Sequence, residues 1–424
     1  MPGRNVLPAM GRLLGAFALA LTLAGSWATE ALAQQPLKIG FGMSLTGPLA
    51  GNGKAALIAM EIWKDDVNAK GGILGRKVEF VYYDDQTNPA TVPALYTKLL
   101  DVDKVDLVVS GYGTAVIAPA LPLMMQRNLM FMTLFGLNPN GKFNYDKYFQ
   151  IMPAGPEPGV GWTKPFFDAA MTLHKKPRTI ALVGADAEYP HNALEGARVH
   201  VKRLGLKVVY DKTYPPNTVD YAPIVRAIQA TNPDVVFVAS YPPDTAGMVR
   251  AANEVGLKTE MFGGGMVGLQ YASLRTQLGP LLNGVVNYEM YAPEVGSKFP
   301  FLDKILAKYR ERAAKEGVDP LGTYLPPYAY AMMEVVQQAV EGTHGLDQAK
   351  LAQYMHSHTF DTVVGKVSFA KNGEWSGSRV LMVQFGGIKG NSLDEWTRPG
   401  RITVLEPAAY RTGAARAPFQ DAKK

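Results

Sequence analysis

From residue 37 onward, the chain alternates short apolar segments with longer amphipathic ones. Residues 37–43 (LKIGFGM) predict a strand, because the run is short and mainly apolar. Residues 54–68 predict a helix, because apolar and acidic side chains fall on different faces at helical spacing. The same alternation predicts further strands at 78–83, 106–110, 129–133, 179–183, 208–214 and 235–240, with helices between them.

This alternation indicates an α/β architecture. Short strands separated by helices of about 10–15 residues form βαβ units and therefore parallel sheets. The strands are too many for one small sheet, so we predict two doubly wound α/β lobes. The Pro- and Gly-rich segment 152–159 (MPAGPEPG) interrupts the pattern and suits an extended crossover between the lobes.

The two ends of the chain carry separate predictions. Residues 1–33 predict a cleavable signal peptide, with Arg4 and Arg12 before an apolar run and cleavage after Ala33, so we expect a periplasmic protein. A membrane anchor is less favoured, because the apolar run is shorter than the ~20 residues of a spanning helix. Near the other end, Asn372-Gly373 predicts a β-hairpin between 365–369 and 380–385. Residues 411–424 are rich in Ala, Arg and Lys and predict a frayed tail.

Composition removes several classes of function. The 424-residue chain has no cysteine, which excludes disulfides, redox pairs, cysteine-ligated zinc and a lipid-modified cysteine anchor. Its formal net charge of +6 is spread thinly, without a Lys/Arg cluster interleaved with aromatic residues, so we do not expect nucleic-acid binding. Its hydrophobic content of 47% is that of a folded protein.

Motifs of catalysis are missing from the sequence. It contains no GxSxG, HExxH or GxxxxGK[ST] pattern. His356 and His358 are close together, but no nearby carboxylate completes a metal site, so we expect surface residues and neither a metal nor a cofactor. Gly111-Tyr112-Gly113 lacks the third glycine of a dinucleotide fingerprint. The pair Asp84-Asp85 is better explained as a turn or a structural contact than as catalytic machinery.

The loops after the predicted strands favour ligand binding instead. In doubly wound sheets, ligands bind beyond the carboxyl ends of the strands. There the sequence places the loops 44–53, 111–115 and 133–137, and it places Tyr189 and Tyr241 in the second block. Helix-start N–H groups attract carboxylates, and Thr114 adds a hydroxyl donor. Tyrosine and phenylalanine offer flat apolar area, so we predict a ligand cleft between the lobes.

Three segments together resemble a known family. They are SLTGPLAGNG (44–53), VNAKGGILGRKVEFVYYDD (67–85) and VDYAPIVRAIQATNPDVVFVASYPPDTAGMVRAANEVGLK (219–258). They resemble the periplasmic solute-binding proteins of hydrophobic-amino-acid ABC importers, of which the branched-chain-amino-acid-binding proteins are the best known. The resemblance covers about 37–410.

The resemblance implies an architecture and a mode of action. It implies that three crossovers, near 152–157, 283–292 and 360–366, join two lobes that close over a ligand about a hinge. Lobe 1 would comprise 37–152 plus 287–360, and lobe 2 would comprise 156–283 plus 366–410. The closed form would dock on a membrane permease that works with a separate ATPase, and we expect the binding protein to be monomeric.

The resemblance also implies a pocket. Thr114 corresponds to the residue that holds the ligand carboxylate, and Asn52 takes a place where an aromatic is usual. Leu137 stands where a threonine is common, and Tyr324 is a further aromatic candidate. The predicted ligand-binding set is Asn52, Tyr112, Gly113, Thr114, Thr133, Phe135, Gly136, Leu137, Tyr189, Tyr241, Gly265, Met266 and Tyr324.

One departure from the family changes the expected ligand. The acid that pairs with an amino acid's ammonium group should lie within 262–266, but no acid stands there and Gly265 is the best match. A desolvated ammonium without a carboxylate costs about several kcal/mol. We therefore hypothesise an apolar or aromatic carboxylate without an α-amine, such as a benzoate-like, phenylpropanoid or 2-oxo acid. If Asp244 rotates into the cleft, it replaces the missing acid and a hydrophobic amino acid becomes the expected ligand.

Two other functions stay open at this level. The same cleft could serve a separate receptor as a sensing module. An exported α/β enzyme would need a catalytic group in the cleft, and Asp85 or Tyr189 would be the residues to supply it. The pattern favours transport binding without catalysis.

Overall fold

The computed structural model describes residues 35–299 and 301–423. The predicted signal peptide at 1–33 lies outside these residues. Within the described ranges, no helix combines the length and the apolar character needed to cross a bilayer.

Strands and helices alternate along most of the chain, as predicted. The strands, in chain order, are β1 (Leu37–Met43), β2 (Val78–Asp84), β3 (Leu107–Val108), β4 (Phe131–Thr133), β5 (Tyr148–Gln150), β6 (Thr179–Ala185), β7 (Lys207–Tyr214), β8 (Val235–Ser240), β9 (Met261–Met266), β10 (Val286–Glu289), β11 (Phe360–Thr362), β12 (Gly365–Val367), β13 (Leu381–Phe385) and β14 (Ile402–Glu406). The helices are α1 (Ala50–Ala69), α2 (Val92–Asp101), α3 (Thr114–Ile117), α4 (Leu121–Gln126), α5 (Pro158–Thr172), α6 (Glu188–Leu204), α7 (Ala222–Ala230), α8 (Pro242–Val255), α9 (Ala272–Leu278), α10 (Leu302–Glu316), α11 (Pro326–Thr343) and α12 (Gln348–Ser357). Helices of the 3-10 type cover Ala118–Ala120, Val267–Gln270, Gly279–Leu282, Pro293–Lys298, Leu393–Trp396, Ala408–Tyr410 and Asp421–Lys423.

The first lobe is built on the parallel sheet β2-β1-β3. All seven residues of β1 pair with β2, from Leu37 opposite Val78 to Met43 opposite Asp84. A parallel bridge between Val109 and Met132 continues the sheet toward the parallel pair β4-β5. Helices α1, α10 and α11 pack together on this lobe. The strand predicted at 37–43 is therefore confirmed, and the helix predicted at 54–68 begins one turn earlier.

The second lobe is built on a seven-stranded sheet in the order β14-β13-β10-β9-β8-β6-β7. Along the sheet, β7, β6, β8, β9 and β10 are parallel to one another. Strand β13 is antiparallel to β10, and the edge strand β14 is antiparallel to β13. Every residue of β8 and β9 is buried. Such continuous burial is expected of parallel strands that have helices on both faces. The predicted class, α/β with doubly wound lobes, is confirmed.

The chain passes between the lobes three times, and two predicted bounds need correction. Strand β10 pairs with β9, so residues 287–289 belong to the second lobe and not to the first. The third passage lies after β12, beyond the predicted 360–366, because the β11-β12 hairpin packs on α11. There Gln338 Nε2 donates to Asp361 O at 2.9 Å, and Val363 N donates to Glu334 Oε2 at 2.8 Å.

Two local predictions near the C-terminus are wrong. Strands β12 and β13 do not pair with each other, because β12 pairs with β11 and β13 pairs with β10 and β14. The Asn-Gly turn itself is closed by an antiparallel bridge between Phe369 and Trp375 and by backbone hydrogen bonds from Ala370 N to Glu374 O and from Ser376 N to Ser368 O. The tail is not frayed either. Phe419 is fully buried, its amide donates to Thr259 O at 2.9 Å, and its ring lies 5.2 Å from that of Phe262. One aromatic side chain thus anchors a segment whose composition alone predicts disorder.

Candidate functional site

A small cavity lies where the two lobes meet at the ends of their strands. Its volume is about 20 Å³, only slightly more than the ~10–15 Å³ needed to hold one water molecule. The lobes are thus in contact, and the side chains between them are buried. Nine of the thirteen predicted residues line the cavity, together with three others. The lining residues are Tyr112, Gly113, Thr114, Phe135, Gly136, Leu137, Met152, Trp162, Tyr189, Tyr241, Val267 and Tyr324.

Thr114 stands at the start of a helical run that extends to residue 126. Gly113 precedes it with φ 116°, a conformation that favours glycine. Thr114 Oγ1 accepts a hydrogen bond from Leu137 N at 2.9 Å, so its own hydroxyl hydrogen remains available to an acceptor. The first N–H groups of a helix, here those of Thr114 and Ala115, have no partner inside the helix. This corner of the cavity therefore offers donors suited to a carboxylate.

The loop after β4 forms a second wall. The ring of Phe135 lies 5.4 Å from that of Tyr324, edge to face. Gly136 O accepts from Gln150 Nε2 at 2.9 Å. Thr133 does not line the cavity, contrary to prediction: it is fully buried, and its hydroxyl donates to Phe149 O at 2.8 Å. Its role is to hold β4 against β5.

Near the cavity, side chains of the second lobe contact the first lobe. Asn192 Nδ2, on the second lobe, donates to Leu137 O at 2.7 Å. The ring of Tyr271 packs against Gly51, where an added Cβ would lie 2.6 Å from it. Asn52 follows Gly51 and is buried, with Oδ1 unpaired. It was predicted to bind the ligand, but it does not line the cavity. Tyr271 instead covers this position from the second lobe.

Three tyrosine hydroxyls form a chain across the cleft. Tyr288 Oη donates to Tyr324 Oη at 3.4 Å, and Tyr324 Oη lies 3.2 Å from Tyr112 Oη. Burial raises the pKa of each hydroxyl well above its ordinary value, so all three are neutral donors at neutral pH. Three hydroxyl hydrogens serve two hydrogen bonds. One hydrogen is therefore left over, on Tyr112 or on Tyr324.

Tyr189, Tyr241 and Trp162 form the wall from the second lobe. The rings of Tyr189 and Tyr241 lie 5.7 Å apart, and burial raises the pKa of both hydroxyls. Tyr189 Oη donates to Gly265 O at 2.8 Å. The nearby Trp162 side chain partly offsets the rise in the pKa of Tyr189. Trp162 Nε1 nevertheless makes no hydrogen bond of ordinary geometry.

The strand where the family's acid was expected leaves little room for one. A Cβ added at Gly265 would lie 3.2 Å from Tyr189 Oη and 3.0 Å from Val238 O. Gly265 and Met266 therefore do not line the cavity, although both were predicted to. Met266 is fully buried, and its amide donates to Asn287 Oδ1 at 2.9 Å. A side chain at position 265 would require the Tyr189 hydroxyl to shift.

Asp244 is held elsewhere. Its carboxylate accepts a hydrogen bond from Tyr214 Oη, and burial raises its pKa to about 6. It does not line the cavity, and neither Asp nor Glu occurs among the lining residues. Among the described residues, no group of three His, Asp or Glu is arranged to hold a metal ion. Asp85 is likewise structural, since it accepts from Ser44 Oγ at 2.6 Å and from Thr87 N at 2.8 Å.

Three lining residues were missed by the sequence analysis: Met152, Trp162 and Val267. Met152 lies in the crossover segment that the sequence singled out as a break. Val267 follows the carboxyl end of β9, so a search of all strand ends would have included it. Trp162 lies on α5, inside the second lobe, and no local signal marks it. Its position depends on how α5 packs against β9 and β10.

Two α/β lobes enclosing aromatic side chains and hydrogen-bond donors at their strand ends define a ligand-capturing protein. Comparison with known proteins gives the family. Residues 36–386 match the model of the periplasmic binding protein family, and the chain belongs to that family. It is a periplasmic binding protein of the kind that serves ABC transporters, and such proteins carry small molecules to a permease.

Individual relatives differ in what they bind. The Leu/Ile/Val/Thr-binding protein of Salmonella typhimurium is 26% identical over 347 residues, which are 80% of this chain and 89% of that protein. A leucine-binding protein of Thermotoga maritima shares the fold with a TM-score of 0.71 and 19% identity, covering 87% of this chain and 97% of that one. A solute-binding protein of Rhodopseudomonas palustris, solved with 3,4-dihydroxybenzoic acid, has a TM-score of 0.69 and 18% identity, covering 84% and 94%.

Proposed function

We propose that this chain captures a small apolar or aromatic carboxylate without an α-amine and delivers it to a membrane permease. One observation carries the proposal: the residues that line the cleft include several hydrogen-bond donors and no carboxylate. An amino acid needs both a donor set for its carboxylate and an acceptor set for its ammonium group. This cleft offers the first set without the second.

The carboxylate would bind at Thr114. In the hydrogen bond between Thr114 and Leu137, Leu137 N is the donor and Thr114 Oγ1 is the acceptor. The hydroxyl hydrogen of Thr114 is therefore free to bind the ligand carboxylate. The free N–H groups at the start of the helix add two further donors and a favourable dipole. Aromatic rings of Phe135 and Tyr324 beside this corner supply apolar area for the rest of the ligand.

An ammonium group would find poor partners. The carbonyl oxygens of Gly136, Leu137 and Gly265 already accept hydrogen bonds from side chains. Asp244 is bound to Tyr214 and would have to leave it. A desolvated ammonium without a carboxylate costs about several kcal/mol, which is enough to reject an amino acid at the concentrations where its amine-free analogue binds.

Binding would proceed by closure of the lobes. A six-membered ring does not fit a cavity of about 20 Å³, so the ligand must enter while the lobes are apart. Ligand contacts with Thr114 on one lobe and Tyr189 on the other would then favour the closed arrangement. The bond from Asn192 to Leu137 O forms only across the closed cleft.

Amino-acid binding is the second candidate, because the curated relatives include proteins named for leucine, isoleucine and valine. A thermal-shift screen of the mature protein separates the two. The panel contains leucine, isoleucine and phenylalanine beside benzoate, hydroxybenzoates, phenylpyruvate and short 2-oxo acids. We expect stabilisation by amine-free acids alone. Stabilisation by leucine or phenylalanine alone would overturn the proposal and point to an acid that replaces Gly265.

A further inference from the structure

The indole N–H of Trp162 is a buried donor without an acceptor. Trp162 is 2% exposed, lines the cleft cavity and leaves Nε1 unpaired. The neighbouring Tyr189 hydroxyl donates its own hydrogen to Gly265 O, and its oxygen makes no hydrogen bond of ordinary geometry with the indole. A buried polar group without a partner destabilises the protein, so an oxygen placed beside Trp162 Nε1 would be bound favourably.

The tyrosine chain lies next to this indole. The ring centroids of Trp162 and Tyr288 are 4.3 Å apart, and those of Tyr288 and Tyr324 are 6.1 Å apart. The hydroxyl hydrogen that is left over in the chain belongs to Tyr112 or Tyr324, and both line the cavity. A tyrosine oxygen can also accept a hydrogen bond. This part of the cleft can therefore both donate to and accept from a hydroxyl group.

The indole N–H of Trp162 is distinct from the donors of the Thr114 corner. Thr114 belongs to the first lobe, while Trp162 comes from α5 of the second lobe. A carboxylate held at Thr114 satisfies the first set only. The cavity lining also contains the aromatic side chains of Phe135, Tyr189 and Tyr324, which suit a flat ring.

We propose that Trp162 Nε1 donates to a hydroxyl oxygen on an aromatic ring, with Tyr112 and Tyr324 completing the site. The substrate class is then a hydroxylated aromatic carboxylate. This inference rests on the proposed function and narrows it, since an unsubstituted aromatic acid would leave the indole unpaired.

The test is calorimetry with benzoate, 3-hydroxybenzoate and 4-hydroxybenzoate on the mature protein and two variants. The wild-type protein should bind one hydroxybenzoate at least about 10-fold tighter than benzoate. Trp162→Phe keeps a ring and removes the N–H, so it should lose most of that preference, with hydroxybenzoate losing more affinity than benzoate. Trp396→Phe is the matched control, because Trp396 is also a buried indole with Nε1 unpaired but lies outside the cleft lining.

The outcomes are distinguishable. Equal loss of benzoate and hydroxybenzoate in Trp162→Phe would overturn the inference, because the indole would then contact the carboxylate or the ring. Equal affinity of the wild-type protein for benzoate and for the two hydroxybenzoates would overturn the inference as well, and the proposed function would stand. Binding of amino acids in place of all these acids would refute the proposed function itself. If Trp162→Phe does not fold, Tyr324→Phe serves as the second variant, with the same selective loss expected.

Discussion

Replacement of Glu374 by glutamine tests how the buried carboxyl group near the third crossover is held. Glu374 is 2% exposed, receives one hydrogen bond from Tyr148 Oη at 3.2 Å, and has its second oxygen unpaired. Burial raises its pKa from 4.5 to about 8, despite the opposing hydrogen bond from Tyr148. The carboxyl group is therefore protonated in the folded protein at neutral pH. The same network continues through Gln150 to Gly136 O in the cleft.

The pH dependence follows from the two states of this group. Between pH 4.5 and about 8, the unfolded chain loses the proton and the folded protein keeps it, so stability falls as pH rises. The full difference corresponds to at most about 5 kcal/mol. Glutamine resembles the protonated form and does not titrate. Relative to wild type, Glu374→Gln should therefore gain stability steadily from pH 5 to pH 8 and no further above it.

Urea unfolding followed by far-ultraviolet circular dichroism at pH 5, 7 and 9 measures this difference. Other buried acids titrate in both proteins, so their contributions cancel in the comparison. Glu316→Gln, at an exposed position on α10, is the control for the same substitution outside the core. A difference between Glu374→Gln and wild type that is equal at pH 5 and pH 9 would refute the reasoning.

Two further variants address the cleft. Thr114→Ala should weaken binding of amine-free acids by about 1–3 kcal/mol, because the ligand carboxylate loses a hydrogen-bond donor. Thr114→Ser keeps the hydroxyl, so its affinity should stay within about threefold of wild type. Unchanged affinity of the alanine variant in calorimetry would exclude Thr114 as the carboxylate anchor. Gly265→Asp should lower the free energy of unfolding by about 1–3 kcal/mol and weaken the same acids, because the new side chain displaces Tyr189. Gain of leucine binding without loss of stability would contradict that explanation.

Residues at strand ends could be placed from the sequence. Parallel strands carry their carboxyl ends to one edge of the sheet, so the loops with Tyr112, Thr114 and Phe135 had to converge. Trp162 could not be placed this way, because it lies inside a helix and reaches the cleft through the packing of α5. Gly265 was matched to a family position, but the Tyr189 hydroxyl lies only 3.2 Å from where a Cβ at this position would stand. The contact between Tyr189 and position 265 joins residues that are far apart in the sequence, so no local pattern predicts it.

The failures near the C-terminus have a similar cause. The Asn-Gly signal does produce a turn, with Gly373 at φ 79° and its amide bonded to Ala370 O. The strands on either side nevertheless pair with other strands of separate sheets, which a local signal cannot specify. In the tail, burial of Phe419 outweighs a composition that favours fraying. Long-range pairing and single aromatic anchors thus decide what local patterns leave open.

The most direct test of the central claim compares two molecules that differ at one carbon. Phenylpyruvate and phenylalanine share the ring and the carboxylate, but the first carries an oxo group where the second carries an ammonium group. Calorimetry on the mature protein should show phenylpyruvate binding with 1:1 stoichiometry and phenylalanine binding at least about 100-fold more weakly, since no acid in the cleft lining pairs with its ammonium group. Tighter binding of phenylalanine would contradict the account.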